Sequence, residues 1–436
     1  MRDSETDEGQ SEVAGTTVAS DVIPDEEQPS SLPYLVVGIG ASAGGLQAFK
    51  DLLGAIPPKT GMAFVVISHV PRGRKSYLAD ILSRATLMPV LDIEDRMPVE
   101  PNKVFVIPPD AQILLEGGML RLQDRPPRDV RPRPIDVFFR SLAAEQKNRA
   151  IGVVLSGTDS DGALGLKTLK AEGGFAIVQD ERTARFEEMP RNAINADHVD
   201  LILAPDEIGR ELGRIADEFA YPHRKPLDGH APDSGDLAEL DTIYAVLQSA
   251  SGIDFAKYKQ KTLLRRVARR MVLKRIDTLA DYNRLVHDEP REANDLYEEM
   301  LIGVTRFFRD PEVWQTLRQH VLPKLLGERM PETPFRVWIP GCASGEEVYS
   351  LAICLVECLG DLPIQIFGTD VSERAIEKSR LAIYPEALVN DIEPERLRRF
   401  FSKRESGYQV TKRVRDLCVF ARHNLGQHPP FHGWIL

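Results

Sequence analysis

Six short, almost unbroken apolar runs set the strongest limit on what this chain can fold into. They are YLVVGIG (34–40), AFVVISH (63–69), KVFVIPP (103–109), AIGVVLSG (150–157), FAIVQD (175–180) and LILAP (201–205). Amphipathic stretches such as 44–54 and 76–84 lie between some of them. A strand wetted on one face alternates polar and apolar residues, whereas a strand covered on both faces does not need to. Runs of this kind, spaced by helices, predict a doubly wound α/β fold: a mostly parallel sheet with helices on both sides. ILLEGGML and LRLQD (113–124) read as a hairpin about a Gly-Gly turn.

The remaining sequence divides the 436 residues further. Residues 1–30 hold nine acids against Arg2 alone and few aromatics, an acidic tail expected to stay disordered. Much of the net charge of −11 therefore belongs to the tail and says little about what the folded parts bind. AYPHRKPLDGHAPDSGD (220–236) has the Pro, Gly and Asp content of a linker. Beyond it come several helices, then a second α/β pattern opening on FRVWIP (335–340) and IQIFGTD (364–370). The expected division is 1–30 tail, 31–215 first α/β domain, 216–236 linker, 237–305 small all-α domain and 306–436 second α/β domain. No apolar run is long enough for an integral membrane segment. The N-terminus has no secretory pattern, and the four cysteines form no CxxC pair. A cytoplasmic location is expected.

Open α/β sheets bind ligands beyond the carboxyl ends of their strands. Ser42 lies just past the first strand, in GIGASAGG; His69 ends the second, in VVISHVP; Asp161 follows the fourth, in LSGTDSDGALG. Nucleophilic acyl transfer needs that set. A serine attacks when a base takes its proton, and the base works best when a carboxylate fixes its tautomer. GIGASAGG also approaches a dinucleotide fingerprint, but the second strand ends in Ser68 and His69 rather than the acid that would hold a ribose. From spacing alone, a hydrolase, a nucleotide site and no site at all stay open.

GIGASAGGLQAF, VVISHVP, KVFVIPPD, LSGTDSDGALGLKTLKAEGG and VQDERTARFEEMPRNAI, in that order, resemble the catalytic domain of the chemotaxis protein-glutamate methylesterases, the CheB family, over about 34–212. The resemblance implies hydrolysis of glutamate γ-methyl esters on chemoreceptor cytoplasmic helices, with deamidation of certain glutamines as a further activity and no cofactor. It implies that Ser42, His69 and Asp161 are catalytic, with Thr158 a candidate on the oxyanion side. Position 43 is Ala43 where the family commonly has threonine. Residues 1–30 are too few for the phosphorylatable receiver domain that usually precedes this domain, so control by phosphorylation in cis is not expected.

Residues 257–275, KYKQKTLLRRVARRMVLKR, carry nine basic residues and no acid. Leu263, Leu264, Val267, Met271 and Val272 form a helical stripe, leaving Arg265, Arg266, Arg269 and Arg270 on other faces. A solvated face, a nucleic-acid surface and a site for an acidic protein partner all fit this pattern, and the nucleic-acid reading lacks an accompanying motif. Further on, FRVWIPGCASGEEVYSLA and IQIFGTD give strand, glycine turn, helix and a second strand ending in Asp370. A glycine turn allows close backbone approach and a strand-end carboxylate can hold a ribose diol, so an adenosyl cofactor fits; a domain without cofactor stays open.

Those stretches, with LIGVTRFFRDPEVW (301–314) and FARHNLGQHPPF (420–431), resemble the chemotaxis receptor methyltransferases, the CheR family, over roughly 237–431. The resemblance implies S-adenosyl-L-methionine as cofactor. It places Thr305 and Arg309 on the segment that meets the methionine end, Glu346 in the glycine turn, Asp370 on the ribose, and Asn424 with Leu425 near the adenine. It also makes Arg265, Arg266, Arg269 and Arg270 a receptor-facing surface. Gly303 stands where the family often has asparagine, and the chain stops at FHGWIL, short of the family's remaining strands. The expectation is a doubly wound esterase domain, an all-α domain and an incomplete Rossmann-like methyltransferase domain with impaired turnover. Nucleic acid is not an expected partner, nor is a metal site. A non-catalytic receptor-binding scaffold is the rival function, and an NAD-dependent oxidoreductase a third.

Overall fold

The computed structural model describes residues 32–429 except 70–75, 127–131, 197–198, 221–233, 256–257, 259, 302, 304, 328–333, 360–362, 390–391 and 405–406. The acidic tail and most of the expected linker lie outside the described residues. The first domain runs β1 (Val36–Ala41), α1 (Gly45–Ala55), β2 (Ala63–Ser68), α2 (Leu78–Leu82), β3 (Val90–Asp92), β4 (Met97–Pro98), β5 (Val104–Val106), β6 (Ala111–Glu116), β7 (Met119–Asp124), α3 (Pro134–Gln146), β8 (Ala150–Val154), α4 (Ala163–Ala171), β9 (Phe175–Gln179), α5 (Glu188–Asn195), β10 (Leu201–Leu203) and α6 (Pro205–Ala220).

Seven of these strands form one sheet in the order β10-β9-β8-β1-β2-β5-β3, and every pairing is parallel. The six apolar runs account for six strands. The seventh, β3, is a three-residue edge strand too short to show a pattern in sequence. One face packs under α3 and α4 through Phe138, Phe139, Leu142, Leu166 and Leu169. The other packs under α1 and α6 through Phe49, Leu52, Ile208 and Leu212. The hairpin β6–β7 turns at Gly117 and Gly118, both with positive φ (58° and 74°), as a tight two-residue turn requires.

The chain leaves β1 for β2 on one side and returns to β8 on the other, so the switch point lies at β1. The strand glycines there serve packing. A Cβ on Gly38 would sit 2.8 Å from Phe139, and one on Gly40 would sit 2.5 Å from Ile135, both on α3. Their absence lets α3 lie directly against the strand.

After the first domain come α7 (Ser234–Ser251), α8 (Gln260–Lys274), α9 (Leu279–Asp288) and α10 (Pro290–Met300), which share a separate core around Tyr282, Phe255 and Leu296. The last part runs α11 (Pro311–Thr316), α12 (Leu322–Gly327), β11 (Phe335–Pro340), α13 (Glu346–Leu359), β12 (Ile364–Asp370), α14 (Glu373–Leu381), β13 (Ile383–Tyr384), α15 (Glu386–Val389), α16 (Pro394–Phe400), β14 (Phe401–Arg404), β15 (Gly407–Val410), α17 (Lys412–Arg415) and β16 (Cys418–Arg422). β11, β12 and β16 form a parallel sheet; β13, β15 and β14 form a small antiparallel one. Among the described residues no helix is long and apolar enough to cross a membrane.

Candidate functional sites

Strand register assembles the first site. β1 and β2 pair in parallel up to Ala41 opposite Ser68, so Ser42 and His69 leave adjacent strand ends one step later. The Ser42 amide donates to the carbonyl of Ser156 at 3.0 Å, tying the serine turn to the end of β8. His69 Nε2 lies 2.7 Å from Asp161 Oδ2 across 92 positions of sequence. A carboxylate can only accept, so Nε2 carries the proton and Nδ1 keeps the free lone pair. Among the described residues, the hydrogen bond of the imidazole is to Asp161 and none joins it to Ser42 Oγ, a looseness common in ligand-free catalytic pairs. The imidazole is partly open to solvent, whereas the Asp161 side chain is fully buried.

Asp161 is held from a second direction. Ile135 N donates to its Oδ2 at 3.0 Å and Asp136 N to its Oδ1 at 2.9 Å, both from the first turn of α3. Orphan amides at a helix start thus orient the carboxylate that orients the imidazole. Asp136 itself is fully buried, and burial, with Asp161 beside it, pushes its carboxyl up to about 7. Sequence reasoning missed Asp136. It reads locally as an acid in a helical first turn, and nothing near it points to residues 161–165.

The turn after β8 closes the site. A Cβ on Gly157 would meet Met189 Sδ at 2.0 Å and Ser42 Cβ at 2.9 Å. Thr158 follows on an exposed position. Asp159 then has a φ of 125°, a strained conformation for a non-glycine residue, fixed where Asn192 Nδ2 donates to its carbonyl at 2.8 Å.

The second site lies at the carboxyl ends of β11 and β12. Gly341 and Gly345 both have positive φ (67° and 91°), shaping the turn into α13. Asp370 Oδ2 accepts from Ala343 N at 2.8 Å and its Oδ1 from Ser372 N at 2.9 Å. A cavity of about 340 Å³ reaches Gly303, Ala343, Ser344 and Asp370. A second, of about 200 Å³, is lined by Tyr258, Gly341, Asp370, Val371, Asn424 and Leu425 among others. Asp370 stands between the two, which suits a long cofactor with a central ribose and unlike ends. Arg309 lines neither cavity; its side chain is 56% exposed beside Asp310. Glu346 is fully buried, and Ser344 Oγ donates to it at 2.7 Å.

The first domain also contributes to this second site, with Lys167, Lys170 and Val199 on the wall of the larger cavity. Lys167 on α4 donates through Nζ to the carbonyl of Thr305 at 3.2 Å and lies 3.8 Å from Glu346 Oε1. No local signal in the sequence announces such a contact.

The arginines expected to face a receptor are largely engaged within the fold. Arg269 is buried, donates through Nε to the carbonyl of Gly174 at 2.8 Å, and is ion-paired with Asp200 and Glu299. Arg266 is also buried, and burial lowers its guanidinium to about 10. Arg270 is half-buried and donates to Glu292 at 2.8 Å. Arg265 is half-buried too, with its Cβ near the Gly173 turn. Much of this helix's charge is taken up inside the molecule by carboxylates of α10 and by the edge of the first domain.

The family model for CheB methylesterases matches residues 37–212. The model for the all-alpha domain of CheR methyltransferases matches 238–301, and that for their SAM binding domain matches 303–434. A putative protein-glutamate methylesterase/protein-glutamine glutaminase of Leptospira interrogans is 35% identical over 183 residues, 42% of this chain and 95% of that protein. A protein-glutamate methylesterase/protein-glutamine glutaminase of Hydrogenovibrio crunogenus is 34% identical over 200 residues, 44% of this chain and 53% of that protein. An uncharacterised 104.1 kDa protein of Rhodobacter capsulatus is 37% identical over 376 residues. That match takes in 81% of this chain, so it spans both halves, but only 39% of the longer relative.

Proposed function

Because the chain belongs to the CheB methylesterase family and runs on into CheR methyltransferase domains, we infer that it removes and adds one chemical mark, the γ-methyl ester of glutamate on chemoreceptor cytoplasmic helices. The observation that carries the esterase half is the 2.7 Å contact of His69 Nε2 with Asp161 Oδ2, with Ser42 at the adjacent strand end. In this reading Ser42 Oγ attacks the ester carbonyl while His69 Nδ1 takes its proton. The same proton passes to the departing methoxide, which leaves as methanol. Water, deprotonated by His69, then attacks the Ser42 acyl ester, and His69 returns that proton to Ser42 Oγ as it departs, freeing the glutamate carboxylate. An amide substrate would follow the same path with ammonia as leaving group, which is the glutamine deamidation expected of this family. Thr158, on the turn beside Ser42, is the proposed oxyanion-side residue, and Ala43 contributes no hydroxyl there.

S-adenosyl-L-methionine fits the second site. Asp370 would hold the ribose diol, and Asn424, Leu425 and Val371 would border the adenine. Ser344 and Glu346 would face the methionine end with Thr305; Arg309 would have to swing in from the surface to join them. Bound there, the cofactor supplies an electrophilic methyl group. The pocket's residues bind and orient it. A protein whose two halves act on receptor glutamates would work in the cytoplasm.

Methanol release from a methylated chemoreceptor fragment tests the esterase half. A rate for the wild type well above that of Ser42→Ala supports the reading, and equal rates leave a non-catalytic scaffold in its place. Titration calorimetry with S-adenosyl-L-methionine tests the other half, and micromolar binding that Asp370→Ala abolishes is the expected result.

A further inference from the structure

We propose that Asp136 is a positioning residue of the esterase, a second buried carboxylate that holds the Asp161 turn, and through it His69, in working orientation. The inference rests on the esterase reading above and adds a residue to it. Its basis is a reciprocal exchange of hydrogen bonds between two helix starts. Asp161 accepts the amides of Ile135 and Asp136 from α3. Asp136 accepts the amides of Gly162 at 3.0 Å and Gly165 at 2.7 Å from the start of α4. Gly162 is the next residue after Asp161, so a displacement of either carboxylate displaces the other.

The remaining atoms of Asp136 set its charge environment. Its Oδ1 takes both glycine amides, whereas its buried Oδ2 has no hydrogen-bond partner and faces Arg133 Nη1 at 3.6 Å. Arg133 and Arg140 approach from α3, Asp161 from the β8–α4 turn, and His69 lies beyond Asp161. A cap alone would need only the two glycine bonds. The amides of Ile135 and Asp136 that Asp161 accepts tie this cap to the carboxylate that meets His69, so its position bears on the imidazole as well.

Two variants separate these contributions in methanol-release assays on the full chain, with a methylated chemoreceptor fragment as substrate. Asp136→Ala removes the grip on Gly162 and Gly165, and kcat is expected to fall about 10- to 100-fold with KM little changed, as for a misplaced catalytic group. Asp136→Asn keeps an oxygen for both amides and removes the charge. It is expected to recover kcat to within about 5-fold, since the amide oxygen can hold both glycine amides in place. Thermal unfolding confirms that each variant is folded, and if Asp136→Ala is not, Asp136→Glu, which keeps the carboxylate but displaces it, takes its place with the same expected fall in kcat. A wild-type kcat in folded Asp136→Ala, or in Asp136→Glu in its place, overturns the proposal, as does a failure of Asp136→Asn to recover kcat. If the wild type is no faster than Ser42→Ala, the esterase reading falls and the proposal with it.

Discussion

Lys167 and Thr305 join the two halves of the chain: the lysine Nζ of an esterase-domain helix donates to a backbone carbonyl beside the cofactor turn at 3.2 Å. The same ammonium is the near cation of the fully buried Glu346, and burial lowers its pKa.

Lys167→Met should therefore leave a buried carboxylate without its cation. Breaking a buried pair in this way costs about 3–5 kcal/mol. The loss should appear in urea unfolding of the full chain. Adding Glu346→Gln should restore much of it, a coupling that a double-mutant cycle measures directly.

Ser42→Ala and Asp161→Asn test the triad at two levels. Ser42→Ala removes the attacking oxygen and should lower methanol release by about 10³-fold or more. Asp161→Asn should cost on the order of 10³- to 10⁴-fold, since an amide facing Nε2 favours the wrong imidazole tautomer. Circular dichroism should show both variants folded.

Gly157→Ala tests how tightly the nucleophile is packed. Its Cβ would overlap Met189 Sδ at 2.0 Å and press on Ser42 Cβ at 2.9 Å. The expected result is a loss of at least about 10-fold in kcat through displacement of Ser42. Truncating the thioether in Gly157→Ala/Met189→Ala should restore part of it.

Arg269→Ala tests the buried junction of α8 with the first domain. Asp200 and Glu299 would lose their shared guanidinium, a loss of about 3–5 kcal/mol. Burial acts to raise Asp200, yet Arg269 and Lys170 hold its carboxyl below the usual range. With Arg269 gone, faster proteolytic cleavage between the domains should accompany the lost stability.

Stability should also report on Asp136. A carboxyl raised to about 7 in the folded protein binds a proton that the unfolded chain has lost by about pH 4. Its stabilising contribution is full at low pH and fades as pH rises through about 7. Between pH 5 and pH 8 the wild type should therefore lose stability relative to Asp136→Asn in urea titrations.

The sequence by itself determined the frame of this protein. Unbroken apolar runs such as YLVVGIG and AIGVVLSG specify parallel strands covered on both sides, because that pattern has no wet face. Strand ends placed Ser42, His69 and Asp370 at ligand-binding edges. The meaning of the remaining residues was decided by tertiary structure, because it depends on partners far away in sequence. Gly38 and Gly40 looked like part of a phosphate cradle, yet they are small because Phe139 and Ile135 lie against them. The arginines of α8 looked like a surface for a partner, yet Arg269 meets Asp200 and Glu299 inside the molecule. Asp136 looked like an ordinary helix-start acid until α3 and α4 faced each other across Asp161. Periodicity reports which side of an element is buried. Which charge or side chain waits there is fixed only when distant elements pack.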